Sequence, residues 1–203
     1  MLVDIAPAVT GKDKEAALAV RRQVFGVEMG VPLAYLDLPE YANGLQLLAR
    51  DRLSGDPVAS LTLLETTGHL GLHREYRLPF GPDARSVRYT QLSVLQPYRG
   101  HKLSLRLMLE GYRRFVEPER FDYSWLVFNA GRAASSLWCQ LLGFTPGTRT
   151  VTSAMGRSLV LSRNERLPAC QEAMGRAQAF AAAFDGPLAS LSTGELLALK
   201  VTS

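Results

Sequence analysis

The chain has only two cysteines in 203 residues, Cys139 and Cys170. Two thiols make neither a disulfide framework nor a metal site, so they read as reduced thiols and no resident metal is expected. The N-terminal stretch MLVDIAPAVTGKDKEAALAV lacks the basic start, continuous apolar core and cleavage site of a signal peptide. No apolar run approaches the roughly 20 residues that a membrane-spanning helix needs. The expected location is therefore cytoplasmic. There is no internal repeat and no low-complexity segment. The arginines are spread along the chain rather than gathered in a basic patch, which argues against nucleic-acid binding.

What is present fits a globular protein. The apolar fraction is 47%, ample for a core, and the length favours one domain. The net charge is +4 and the pI about 9.3. That balance suits anionic partners such as nucleotides or acidic carrier proteins without selecting among them.

Apolar spacing predicts a helix over 13–25, through Ala16, Ala17, Val20, Val24 and Phe25, with Arg21 and Arg22 toward its end. LQLLARD and PVASLTLLE read as strands joined by a hairpin turn at RLSGD. Residues 66–86 carry Gly and Pro with little periodicity and read as a loop or a short excursion over one face of a sheet. VRYTQLSVL is the next strand. A largely buried helix then runs over 103–116, with Arg106, Glu110, Arg113 and Glu117 on one polar stripe. FDYSWLVFNA is a buried strand, GRAASSLWCQLLGF a short helix closed by Gly143, and two strands flank Gly156. The expected division is a first domain over 1–163 and a helical extension over 164–203. That extension either packs on the first part or pairs with a second copy in a homodimer.

PYRGHKLS, residues 97–104, lies between a strand and the buried helix. A helix N-terminus offers unpaired N–H groups and partial positive charge, and Arg99, His101 and Lys102 add to it, so this turn is a candidate anion site.

QLSVLQPYRGHKLSLRLMLEG resembles the coenzyme-A-binding segment of GCN5-related N-acetyltransferases (the GNAT superfamily). SLWCQLLGF is similar to the family's second donor-side segment. VRRQVFGVEMGVPLAYLDLPEY, followed by LQLLARD and PVASLTLL, is similar to its N-terminal half. The resemblance spans residues 14–161. It implies an α/β GNAT fold, a mixed central sheet flanked by helices, here with a C-terminal helical extension. It also implies a donor turn at Arg99, Gly100, His101, Lys102 and Ser104, with the strand backbone at Leu92 to Val94 polarising the donor carbonyl. Lys102 stands where the family usually has glycine, and Ser104 where it has Gly or Ala. These departures are compatible with phosphate binding if φ stays negative there.

Arg21 to Phe25, Asp37, Tyr41 and the long insertion before the central strand resemble acyl-homoserine-lactone synthases and long-chain N-acyl amino acid synthases. Those relatives move a fatty acyl group from an acyl carrier protein or coenzyme A onto an amine. The implied activity is N-acyl transfer, with a medium- or long-chain acyl thioester as donor and an amine of a small molecule or peptide as acceptor. The relatives' Glu and Arg on the central strand fall at Arg88 and Gln91, and Thr62 stands where an Arg is common. Glu28, Asp37 and His101 are candidate bases, with Glu28 favoured. Cys139 aligns with the tyrosine that protonates the departing thiolate in many relatives; as a residue it equally fits a buried helix position. Tyr89 and Tyr98 are substitute acids or packing residues. Trp125, Phe128, Leu92 and Val94 are candidates for an acyl tunnel or for plain core. The catalytic candidates are thus Glu28, Gln91 and Cys139. Acetyl transfer from acetyl-coenzyme A and non-catalytic binding of an acyl thioester or a partner protein remain the alternatives.

Overall fold

The computed structural model describes residues 2–100, 102–129, 141–153 and 156–183. Strands β1 (Val3–Pro7), β2 (Leu45–Asp51), β3 (Pro57–Glu65), β4 (Ser86–Val94), β5 (Tyr123–Asn129), β6 (Thr145–Ser153) and β7 (Gly156–Asn164) form a seven-stranded sheet in the order β1-β2-β3-β4-β5-β7-β6. Neighbours pair antiparallel except β4 and β5, which run parallel. The sheet is therefore mixed, as the resemblance implies. Val58 to Leu64 of β3 are buried without a break, as expected for a central strand covered on both faces.

One face carries α1 (Gly11–Arg21). Thr10 caps it, its hydroxyl accepting from the Asp13 N–H at 3.1 Å. The helix does not stop at Phe25 as the apolar spacing suggested; it continues through a π-helical segment, Arg22–Glu28. The wider turn carries Glu28 to the end of the segment, beyond the last apolar repeat. A short α2 (Pro39–Ala42) follows.

The irregular stretch over 66–86 contains α3 (Leu70–Tyr76), which lays Tyr76 over Trp125 of β5 with ring centroids 5.3 Å apart. Phe80 stacks on Tyr123 at 4.4 Å. The excursion is thus a cover over this face of the sheet.

The opposite face carries α4 (Leu103–Gly111), which passes through a π-helical turn at Tyr112–Val116 into α5 (Glu117–Glu119). Gly111 lets α4 approach β3 closely: a Cβ there would lie 2.9 Å from a Leu63 methyl. Beside it lies α6 (Pro168–Ala183). Its Cys170, Met174, Ala177 and Phe180 recur at helical spacing and join the same core as α4 and β3. A buried ion pair between Arg163 and Glu165, 2.7 Å long, sits under α6, and the Cys170 thiol meets Glu165 Oε2 at 2.9 Å. Among the described strands, only β1 has no counterpart in the sequence reading.

Candidate active site

The site begins with an irregularity in β4. Thr62 pairs with Thr90 and Ser60 with Ser93, so two residues of β4 oppose Leu61 alone. The extra residue falls at Gln91, which adopts φ +52°, a left-handed conformation costly for a side-chain-bearing residue. Its amide is held at both ends. Arg21 Nη1 donates to its Oε1 at 2.5 Å, and its Nε2 donates to Leu36 O at 3.2 Å. Gln91 thereby ties the bulge to α1 and to the segment between α1 and β2.

β4 and β5 are paired only from Ser86 to Tyr89 against Tyr123 to Leu126. Beyond that, β5 pairs with β7 on its other side, while β4 continues to Val94. The two parallel strands therefore part beside the bulge. Leu95 N–H bonds to Val58 O of β3 at 3.0 Å, so alternation along the strand turns the Leu92 and Val94 N–H groups to the open side. Val94 O also faces that side, where Arg99 Nε donates to it at 2.9 Å.

The same Arg99 forms an ion pair with Glu28. Glu28 and Arg99, the favoured base and the leading phosphate ligand in the sequence, are thus brought into contact. The Glu28 side chain is 21% exposed and that of Arg99 46%, so the pair is partly open to solvent.

The turn that follows takes Gly100 to φ +86° and Lys102 to φ +55°. A negative φ at Lys102, the condition under which lysine in glycine's usual place is compatible with phosphate binding, is not met. The chain adopts there the conformation glycine prefers, and a lysine holds it as the N-cap of α4, its carbonyl accepting from Arg106 N–H at 3.1 Å. Lys102 is buried, and that desolvation lowers its pKa from the ordinary lysine value. Ser104 lies in the first turn of α4. His101 and Cys139 lie outside the described residues.

Two residues matter more here than the sequence suggested. Arg21, 3% exposed, is surrounded by neutral acceptors: Gln91, Gln46 Oε1 at 3.0 Å, Thr62 Oγ1 at 3.2 Å and Ala17 O at 3.3 Å. Burial lowers its pKa, with Asp37 and Tyr41 opposing. A signal existed, because Arg21 shares the buried stripe of Ala17, Val20 and Val24. Arg88, 9% exposed, places its guanidinium 4.8 Å from the Tyr76 ring centroid and 5.0 Å from that of Trp125.

The remaining candidates separate. Asp37 pairs with Arg22 at 2.6 Å. Tyr89 lies in the core, edge-on to Phe144, and burial raises its pKa far above the tyrosine range. Tyr98 donates to Asp51 Oδ2 at 3.3 Å; desolvation first and then that carboxylate raise its pKa. Leu92, Val94 and Phe128 pack toward the α4 face, whereas Trp125 is on the α3 face. The four do not share one wall, because successive strand residues point to opposite faces.

A mixed sheet parted between two parallel strands, with a bulged central strand and a helix N-terminus at the opening, defines an α/β fold of the GNAT type. Solved structures carry the same fold. FeeM, an N-acyl amino acid synthase from uncultured soil microbes, is 11% identical with a TM-score of 0.64, over 84% of this chain and 98% of that one. Escherichia coli ElaA is 18% identical with a TM-score of 0.61, over 80% and 100%. An acyl-CoA N-acyltransferase from Pseudomonas aeruginosa is 21% identical with a TM-score of 0.59, over 80% and 99%. No protein-family model matches the sequence, and no curated protein matches it. The chain has the GNAT fold.

Proposed function

We propose that the protein is an N-acyltransferase that moves an acyl group, of medium or long chain, from an acyl thioester to a primary amine. The donor is an acyl-coenzyme A or an acyl carrier protein, and the positive net charge suits either. The observation that carries this reading is the parted β4–β5 edge, where the backbone at Leu92 and Val94 faces an opening that ends at the Gly100–Lys102 turn. The resemblance of Arg21 to Phe25, Asp37, Tyr41 and the long insertion before the central strand to long-chain N-acyl amino acid synthases supports a fatty acyl group over acetyl.

In this reading the thioester lies along the open edge of β4, and the N–H groups of Leu92 and Val94 polarise its carbonyl. The amine nitrogen attacks the carbonyl carbon, forming the C–N bond. The tetrahedral intermediate collapses with cleavage of the C–S bond. Glu28 takes the proton lost by the amine, directly or through water, and the thiolate leaves with a proton from Cys139 or solvent. Arg99 and the N–H groups at the start of α4 hold the donor phosphates, with Lys102 and Ser104 beside them. Gln91 is a positioning residue, fixing the bulge that aims the Leu92 N–H.

Steady-state thiol release from acetyl- and palmitoyl-coenzyme A with a panel of primary amines tests this reading. Amine-dependent release supports it. Donor binding without turnover on any amine means an acyl-thioester-binding protein instead.

A further inference from the structure

Arg21, the last residue of α1, is a buried cation that no ion pair reaches among the described residues. Two of its acceptors are glutamine side chains: Gln91 Oε1 on the β4 bulge, at 2.5 Å, and Gln46 Oε1 on β2, at 3.0 Å. A guanidinium only donates, so each amide turns its oxygen toward Arg21 and its NH2 away. Both NH2 groups then meet backbone carbonyls of the same segment. Gln91 Nε2 donates to Leu36 O at 3.2 Å, and Gln46 Nε2 to Tyr41 O at 3.0 Å. Leu36 closes a 3₁₀ turn and Tyr41 lies in the four-residue α2, elements too short to supply partners for these carbonyls. The excursion over 22–45 thus leaves α1 at Arg21, returns to β2 beside Gln46, and is tied at two points in between to one guanidinium. Glu28 lies in that excursion, at the end of the π-helical segment.

We propose that Arg21 and Gln46 are positioning residues: through the two glutamine amides, the guanidinium holds the 22–45 excursion, and Glu28 with it, against the β4 bulge. The bearing on catalysis rests on the acyltransferase reading; the tether itself does not. One group thereby sets the candidate base relative to the Leu92 N–H, because Gln91 belongs to the bulge and Leu36 to the excursion. The donor-only character of the guanidinium fixes the direction of both amides. Without a donor-only group at position 21, either amide could turn over and present its oxygen to a carbonyl, leaving both groups unsatisfied. The contacts of Arg21 do not include the Gly100–Lys102 turn, so they bear on turnover rather than on donor affinity.

Three measurements on the full chain read the tether, the donor site and turnover separately: hydrogen exchange over 33–42, calorimetry with free coenzyme A, and thiol release from acetyl- and palmitoyl-coenzyme A with primary amines. Gln46→Glu keeps an oxygen on Arg21, gains an ion pair there, and loses only the donor to Tyr41 O. It should raise exchange over 33–42 about tenfold, as one hydrogen bond warrants, while β3 exchanges as in the wild type. It should lower kcat by about tenfold or more and leave coenzyme A affinity within about threefold. Arg21→Met should do the same more strongly, and Gln46→Glu decides if Arg21→Met does not fold. Arg21→Lys, another donor-only cation, should recover part of both effects. Wild-type exchange over 33–42 in Gln46→Glu overturns the tether. So does exchange that rises equally over 33–42 and β3, since that marks general packing. Faster exchange over 33–42 with wild-type kcat overturns the positioning role. Should no amine support turnover in the wild type, the acyltransferase reading fails, and exchange alone decides the tether.

Discussion

Arg99 reaches from the donor turn to Glu28, 71 residues earlier in the chain, and also donates to Val94 O. The geometry joins the candidate base and the candidate phosphate ligand. In the proposed acyltransferase a donor phosphate competes with Glu28 for the same guanidinium, and donor binding frees the carboxylate beside the thioester.

Two substitutions separate the partners. Arg99→Ala should weaken coenzyme A binding about tenfold or more, the value of a charge-assisted hydrogen bond to phosphate. Glu28→Gln should leave binding intact or tighten it by up to about fivefold, because half-exposed ion pairs contribute at most about 1 kcal/mol. The same variant should lose about 10²- to 10⁴-fold in kcat, the usual contribution of a general base. Calorimetry with free coenzyme A and steady-state thiol release read the two effects independently. Weaker binding in Glu28→Gln would contradict the competition.

The packing of α6 on the domain is testable at Gly143. It has φ +74°, and a Cβ there would sit 2.9 Å from Ala173 Cβ on α6. Gly55 has φ +76° with open space around it. Gly143→Ala should cost about 2–3 kcal/mol, strain plus overpacking, and lower Tm by roughly 5–10 °C. Gly55→Ala should cost only the strain, about 1 kcal/mol. Equal losses would mean that α6 yields easily.

Alkaline pH should destabilise the fold through Cys170. Burial, opposed by Arg163 and reinforced by Glu165, pushes its thiol from 9.0 up to about 12. Between those values the unfolded chain releases a proton that the folded protein keeps. Stability is therefore full below pH 9 and declines as pH rises toward 12. Tyr112, raised from 10.0 to about 12 mainly by burial, adds to the decline. Urea midpoints measured from pH 8 to 11 should fall more steeply for the wild type than for Cys170→Ala. Parallel slopes would refute the assignment.

The helix and strand framework was legible where apolar periodicity is long, as in β2, β3, β4, β5 and α4. The edge strand β1 was not, since five residues containing Asp4 and Pro7 give little alternation to read. The π-helical extension of α1 was missed because its wider turn breaks the 3.6-residue period. The cover formed by α3 is one short helix whose value lies in two rings, Tyr76 and Phe80, meeting a distant strand. Within the site, the donor turn could be found from local order, but its left-handed Lys102 could not, because lysine carries no preference for that conformation. The Glu28–Arg99 and Arg21–Gln91 contacts join distant positions and leave no local pattern. Arg88 was visible only as a departure from a resemblance; its aromatic surroundings come from the fold.

Thermal stabilisation by free coenzyme A, acetyl-coenzyme A and palmitoyl-coenzyme A, measured side by side, tests the central claim most directly. Ligand at a hundred times its dissociation constant should stabilise the protein by about 2.7 kcal/mol. A fatty acyl transferase should respond to all three and most strongly to palmitoyl-coenzyme A, since each buried methylene adds about 0.8 kcal/mol. No shift with any of the three, and none with a palmitoylated acyl carrier protein, would contradict the account.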